Sequence, residues 1–329
     1  MRIYNNIKQS DYNIRIISYN ILAPVTINGD HHKLSCSDEC ISWENRFKLI
    51  KKEVMDQDPD IITFQEAQTD KIYNYIFNYF NSKGYYGYYI PQKNPNSGIE
   101  SDKKNFGVVI LFKTKRFFSL KIGTIDFHKI GEEYLVKNNL IKFRDKIKKR
   151  YTSLVLKLKD KKTNKEFYVV TVHLESNPKY DDIKNFQGYI TMKYINKLSN
   201  DDKIGVVLTG DFNSKPDSSN YVGITTGKSI NKFDMEDFDY PRPFLNTPDI
   251  FTKYPLKSCY KEIIGHEPAY TNFTRNFKAT LDYIFVNSNF NVLGVMQELS
   301  HKYIKNMKSV PDENFPSDHF MQVANIELN

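Results

Sequence analysis

The sequence predicts an α/β fold built on a mixed β-sheet, and three observations carry that prediction. Short β-branched runs recur at 14–19, 61–64, 108–112, 168–172, 206–208 and 281–286, and each reads as a buried strand. Helical patterns lie between several of them, at 42–57, 70–81 and 181–198. Two further runs, 151–159 and 166–172, flank the polar turn Asp160-Lys161-Lys162-Thr163-Asn164 and predict an antiparallel hairpin, so the strands are not all parallel.

In order along the chain, Trp43, Phe47, Ile50 and Val54 share one face of the first helix, with Ser42 placed to cap its N-terminus. Asp58-Pro59 ends it, because a residue before proline is pushed out of the helical region. Ile72, Ile76 and Phe80 recur in register through the second helix, and Ile183, Phe186, Ile190 and Tyr194 through the third. Residues 223–265 lack a clear period and contain Pro241, Pro243, Pro248 and Pro255, which predicts a long surface excursion with room for a short helix. No repeat, low-complexity linker or break in composition divides the 329 residues. A single domain over 1–329 is expected, with 1–12 as an N-terminal extension.

An apolar share of 40% and a charged share of 26% describe a folded chain, not a disordered one. The net charge of +8 favours anionic partners, and phosphate-bearing ligands fit. Three cysteines, Cys36, Cys40 and Cys259, are too few and too odd in number for a disulfide framework, so a reducing compartment is expected. The N-terminal stretch is polar throughout, and no apolar run approaches the roughly 20 residues of a membrane helix. Together these predict a soluble, cytoplasmic protein with no membrane partner.

Several apolar runs end in polar groups: Asn20 after IRIISY, Glu66 after IITFQ, His173 after VVTV and Asp211 after VVLTG. Strands of α/β folds present ligand sites at their carboxyl ends, so four strand ends can bring an amide, two carboxylates and an imidazole to one rim. Asp282 in LDYIF and the Asp318-His319 pair in PSDHF add to the set. Carboxylates with an amide suit a hard cation such as Mg²⁺, whereas zinc prefers more His and Cys. Phosphodiester hydrolysis needs a cation, donors for the developing charge and a base for water, and this set supplies each. Taken singly, Asn20 and Asn213 fit turn caps equally well. Glu66 alone fits a surface carboxylate and His173 a satisfied core histidine.

The ordered strings SYNILA, FQEA, VVTVHLES, GDFNSKPDS, LDYIFV and PSDHF resemble the endonuclease/exonuclease/phosphatase superfamily over nearly the whole chain. Trp43-Glu44-Asn45-Arg46, 107–113 and 291–296 look most like its deadenylase branch, which includes the carbon catabolite repressor type catalytic domain and nocturnin. The resemblance implies a four-layer αββα sandwich with two mixed sheets, DNase I-like, and an active site at one edge. It implies Glu66 as principal Mg²⁺ ligand, with Mn²⁺ able to substitute, and Asn20 and Asp318 completing the metal side. Asp211 would orient or deprotonate the attacking water and Asn213 would hold a phosphate oxygen. His173 and His319 would contact the phosphate, with Asp282 orienting His319.

For substrate, the resemblance implies single-stranded RNA, chiefly poly(A), trimmed by a 3′–5′ exoribonuclease that releases 5′-AMP. Pro178 and Phe277 match the positions that sandwich an adenine, and stacking suits single-stranded RNA; for Phe277 alone, plain core packing is the competing reading. Gln187 is also in the family's place, and Lys184 keeps open a grip on a nucleotide phosphate. The alternatives are a nocturnin-like NADP(H) phosphatase, a 2′,5′-oligoadenylate phosphodiesterase, or an RNA-binding adaptor without catalysis. The chain departs from the family at Asn105-Phe106-Gly107, where Asp-Gly is common, and lacks the leucine-rich repeats of larger deadenylases, so docking to a larger complex through them is not expected. His31, His32, Cys36 and Cys40 lack a paired zinc spacing and read as a polar loop. The run KFRDKIKKR at 142–150 reads first as a solvated charged face and second as a track for RNA backbone.

Overall fold

The computed structural model describes residues 4–5, 10–27, 36–92, 105–149, 151–230, 244 and 250–329. Among these, seven strands form one sheet in the order β1 (Tyr4–Asn5), β14 (Phe290–Met296), β15 (Gln322–Leu328), β2 (Ile14–Asn20), β3 (Ile61–Gln68), β5 (Phe106–Lys113) and β4 (Tyr85–Gln92). Six form a second, ordered β10 (Lys257–Ser258), β13 (Asp282–Val286), β9 (Gly205–Asp211), β8 (Glu166–His173), β7 (Thr152–Asp160) and β6 (Phe117–Asp126). A short ribbon pairs β11 (Asn272–Phe273) with β12 (Lys278–Ala279). Each large sheet holds one parallel pair, β2 with β3 and β8 with β9, in an otherwise antiparallel arrangement. The parallel pairs are those joined through the helices Trp43–Met55 and Asp181–Leu198, because a parallel connection needs a crossover.

Alternation along the strands explains the layers. Ile14 and Ile16, Ile61, and Val108 and Ile110 face inward from the first sheet, against Leu154, Leu156, Val169, Val207 and Ile284 from the second. The opposite faces carry the next residues in each strand. Ile17, Ile62 and Val109 pack under Phe47, Ile50, Val54, Ile72 and Ile76, whereas Val170, Val206 and Phe285 pack under Met192, Ile195 and Ile224. The result is the helix–sheet–sheet–helix sandwich expected, with the main core between the sheets.

Along the inward faces the chemistry changes toward one rim. Ile14 and Ile16 give way to Ser18 and Asn20, Ile61 to Thr63 and Gln65, Val169 to Thr171 and His173, and Val207 to Thr209 and Asp211, all buried. These polar groups satisfy one another across the sheets: Gln65 Nε2 donates to Thr171 Oγ1 at 3.0 Å, and Thr209 Oγ1 to Thr63 Oγ1 at 2.9 Å.

Three expectations need correction. The helix at 70–81 is α at Thr69–Lys71 and Asn78–Ser82 but π-helical at Ile72–Phe77; Ile72, Ile76 and Phe80 stay buried because a four-residue spacing fits a widened turn. Of the expected surface excursion at 223–265, residues 231–243 and 245–249, with Pro241, Pro243 and Pro248, lie outside the described residues; in the described part Phe251, Leu256, Cys259 and Tyr260 are buried, β10 pairs with β13, and the helix Cys259–Ile264 packs on the central core. Burial against the sheet, not local periodicity, sets residues 251–264. Cys36 and Cys40 form a disulfide with Cα atoms 5.8 Å apart, contrary to the reduced cysteines expected. Cys40 lies within the short helix Asp38–Ile41 and Cys36 two residues before it. His31 and His32 lie outside the described residues. Among the described residues no helix is long and apolar enough to cross a membrane.

Candidate active site

Strand register brings the expected residues to one rim. Asn20 stands beside Gln65 in the parallel pair β2/β3, and His173 beside Asp211 in β8/β9. β13 runs antiparallel to β9, so its first residue, Asp282, is the one opposite Asp211. β15 runs antiparallel to β2 with Gln322 opposite Ser18, and the chain entering it delivers His319 to the same place. Glu66 would point away from this rim in a regular strand. A register shift between Phe64 and Ala67, with Glu66 at φ 55°, turns it in. Asn213 at φ 49° and Leu22 at φ 54° are also left-handed, so backbone strain gathers around the site.

Asp211 Oδ2 is the geometric centre. Asn20 Nδ2 donates to it at 3.0 Å, His319 Nε2 lies 3.6 Å away and His173 Nε2 3.7 Å away. Its other oxygen accepts the backbone N–H of Asn213 at 2.9 Å, which fixes the carboxylate. Asn20 Nδ2 donates also to Glu66 Oε1 at 3.2 Å, so one amide joins the two carboxylates. Glu66 Oε2 is held from behind by Ala23 N–H at 3.0 Å and Thr26 Oγ1 at 2.8 Å, leaving Oε1 toward the site and 3.9 Å from His173 Nε2.

His319 Nδ1 lies 2.7 Å from Asp282 Oδ2, within a fully buried pair. Burial works against charge on the ring, but Asp282, Asp211 and Asp318 outweigh it and hold His319 well above the ordinary imidazole range. Burial pushes Asp282 up to about 6, against the pull of His319. Thr271 Oγ1 accepts from the Asp282 N–H at 3.0 Å and fixes the start of the strand.

Donor atoms of Asp211, Asp282 and His319 lie within 4.8 Å of one another, the one such group of three among the described residues. This differs from the expected ligand set of Glu66, Asn20 and Asp318. The Asn20 amide oxygen takes the Leu22 N–H at 3.1 Å, so Asn20 presents its NH₂ to the carboxylates. Asp318 accepts from Asn272 Nδ2 at 3.4 Å and Ser317 Oγ at 3.5 Å. Glu66 Oε1 and Asp211 Oδ2 converge on one amide nitrogen, and Asp282 Oδ1 is buried without a hydrogen bond. An oxygen-rich, negatively charged rim of this kind fits a metal cation.

The expected substrate residues divide. Phe277 is 46% exposed at the turn of the ribbon, which rules out core packing, and Pro178 is also exposed. Lys184 is 5% exposed and paired with Asp181 at 2.9 Å, so it is spent within the fold and does not reach out to a phosphate. Gln187 Oε1 accepts the Glu175 N–H at 2.9 Å and shapes the loop after His173.

One residue that sequence reasoning missed supports the whole rim. Arg46, fully buried, donates to Leu22 O at 2.8 Å, Ile21 O at 2.9 Å and Pro316 O at 3.0 Å, tying the segment after Asn20 to the segment before His319. Burial lowers it to about 10, with Asp318 and Glu66 acting the other way, so it stays charged at neutral pH. The signal was present: Arg46 falls three residues after Trp43 and four before Ile50, on the apolar stripe of its helix. Gln92 Nε2, donating to His173 O at 2.9 Å, had no such signal.

The pattern of the Endonuclease/Exonuclease/phosphatase family matches residues 17–319. The chain is similar to the CCR4-Not complex 3'-5'-exoribonuclease subunit Ccr4 of Candida albicans, 29% identical over 342 residues that cover 99% of this chain and 42% of the relative. It is 28% identical to the CCR4-NOT transcription complex subunit 6-like of Danio rerio over 338 residues, 89% of this chain and 59% of the relative. It thus spans about half the length of these relatives. Among solved structures, ANGEL2, a 2',3'-cyclic phosphatase, superposes with a TM-score of 0.82 at 24% identity, covering 100% of this chain and 99% of that one. The human Nocturnin catalytic domain gives 0.70 at 22% identity, covering 100% and 98%. At these identities the likeness concerns the fold. Since the match runs from within β2 to His319, through every strand end that furnishes the rim, the chain belongs to the Endonuclease/Exonuclease/phosphatase family.

Proposed function

We propose that the protein is a Mg²⁺-dependent 3′–5′ exoribonuclease of the poly(A) deadenylase type, releasing 5′-AMP in the cytoplasm. The observation that carries the reading is Asp211 Oδ2 set between two imidazoles, with Glu66 Oε1 across one amide. Glu66, with Asp211 beside it, would hold the cation, which neutralises charge on the phosphate. Asp211 accepts the proton of the attacking water. His319, kept protonated by Asp282, donates from Nε2 to a phosphate oxygen, and His173 donates from the other side. Asn213 fixes Asp211 through its N–H, while its side-chain NH₂ donates to Leu174 O at 3.0 Å; holding a phosphate oxygen would require that amide to turn. Exposed Phe277 and Pro178 supply faces for a base to stack on. Similarity to a named exoribonuclease subunit over nearly the whole chain supports the substrate class.

The test is incubation with 5′-labelled RNA bearing an A-tail or a matched non-A tail, and separately with NADPH, 2′,5′-oligoadenylate and a 2′,3′-cyclic adenosine nucleotide. Stepwise shortening of the A-tail, lost in EDTA and in Glu66→Ala, is expected. Release of phosphate from NADPH, or opening of the cyclic phosphate, with the RNA untouched would replace this reading with a phosphatase. An inactive wild type would leave an adaptor. The pairing of Lys184 with Asp181 weighs against the NADP(H) alternative, since it removes the expected phosphate grip.

A further inference from the structure

A cavity of about 580 Å³ opens beside the ribbon and collects cations from three separate elements. Lys215 comes from the loop after β9, Lys261 from the helix Cys259–Ile264 and Lys278 from β12. Two walls of this cavity continue the loops that carry the site. Lys215 follows Asn213 by two residues and Lys278 precedes Asp282 by four. The Tyr283 hydroxyl clamps these walls together, 2.7 Å from Ser214 O and 3.0 Å from Thr280 O. Four residues span at most about 13 Å even when extended, which bounds the separation of Lys278 from Asp282.

The lysines are held in place without being buried. Lys261 and Lys278 are exposed, with their ammonium groups 6.0 Å from the Tyr221 ring centre and 4.0 Å from that of Phe273. Two carboxylates, Asp217 and Glu267, share the lining. Glu267 is turned into the floor, where its Oε1 accepts the Tyr221 hydroxyl at 2.6 Å, and burial raises it above the ordinary carboxylate range. Three lysines against two carboxylates, one of them disfavoured as an ion, leave the cavity positive.

We propose that this cavity is a subsite for a second phosphate of the substrate, the one next to the scissile phosphate, supplied by the backbone of single-stranded nucleic acid. The assignment of source rests on the exoribonuclease reading; the binding of phosphate does not. Lysines from three elements converging on one hollow are suited to a group with several acceptor oxygens. Phe277, adjacent to Lys278, offers a stacking face for the base on that phosphate.

The experiment uses the full chain carrying Lys261→Glu and Lys278→Glu, with Lys261→Gln and Lys278→Gln as a milder pair should the charge reversals lower the melting temperature. For an A-tailed RNA we expect KM to rise about tenfold with kcat within about twofold, and a salt dependence shallower by about one phosphate contact. Binding is read separately by fluorescence anisotropy in a Glu66→Ala background, with labelled oligo(A) and with adenosine 3′,5′-bisphosphate against 5′-AMP as competitors. Weaker binding of oligo(A) supports the subsite even if the wild type trims no RNA. Weakening confined to the bisphosphate would keep a phosphate subsite but overturn the backbone assignment in favour of a free nucleotide. Unchanged KM, Kd and salt slope with both ligands would overturn the proposal.

Discussion

Asp282 and His319 show how much depends on single side chains. The imidazole keeps its proton because three carboxylates face it, with Asp282 in contact at 2.7 Å. A raised folded value means that protonated His319 persists as pH climbs past the ordinary imidazole value, and is lost only at the higher folded value. The Asp282→Asn change removes the nearest of the three charges while keeping the shape. Its pH–rate profile should therefore show the alkaline limb moved to lower pH, with kcat down on the order of 10²–10³. An unmoved limb would mean that Asp282 does not hold the proton on His319. Arg46→Lys tests a different kind of dependence, since one ammonium cannot reproduce a guanidinium's bonds to Leu22 O, Ile21 O and Pro316 O. Urea unfolding should show a loss of about 2–4 kcal/mol, with activity falling as the two tied segments loosen.

At the level of elements, the site exists because β8 and β9 run parallel in one register. Gly210 is needed for that pairing: its φ is +139°, and a Cβ there would meet Val172 O at 2.0 Å. Gly210→Ala should cost about 3 kcal/mol or more by denaturant unfolding, and should reduce activity by shifting His173 against Asp211. The strands that carry Asn20, Glu66, His173 and Asp211 were legible because buried parallel strands are continuously apolar and give way abruptly to polar groups. Strands of mixed character were not. β4, YYGYYIPQ, is half-exposed along most of its length, and β6, FFSLKIGTID, has an exposed face, so neither presents an apolar run. The bulge that aims Glu66 was illegible for another reason. Its register shift depends on pairing with β5, forty residues on, which no local pattern encodes. Lys184 is a different case: the resemblance kept open a grip on a nucleotide phosphate, but Asp181 precedes it by three residues on the same helix and pairs with it, a local pattern.

For the whole molecule, the rim where the two sheets meet concentrates negative charge in a chain whose net charge is +8. Glu66, Asp211 and Asp282 lie together there, with Asn20 and the two imidazoles as the neutral or protonated groups between them. Bringing carboxylates together in a buried place costs free energy, and the backbone strain at Glu66, Asn213 and Leu22 adds to the cost. The native fold thus carries a local instability that a cation bound at the rim would relieve and that the unfolded chain does not share. Binding to the folded form alone stabilises it by RT ln(1 + [L]/Kd), about 2.7 kcal/mol at a hundredfold excess over Kd. Thermal unfolding followed by circular dichroism should therefore show a melting temperature several degrees higher in Mg²⁺ than in EDTA, growing with the logarithm of Mg²⁺ concentration. In Glu66→Ala the increment should vanish, whatever the EDTA baseline, in which relief of carboxylate repulsion is set against the lost bonds from Ala23 N–H and Thr26 Oγ1. An equal increment in both proteins would place the cation elsewhere, and would break the link between the bulge that turns Glu66 inward and the metal it is proposed to hold.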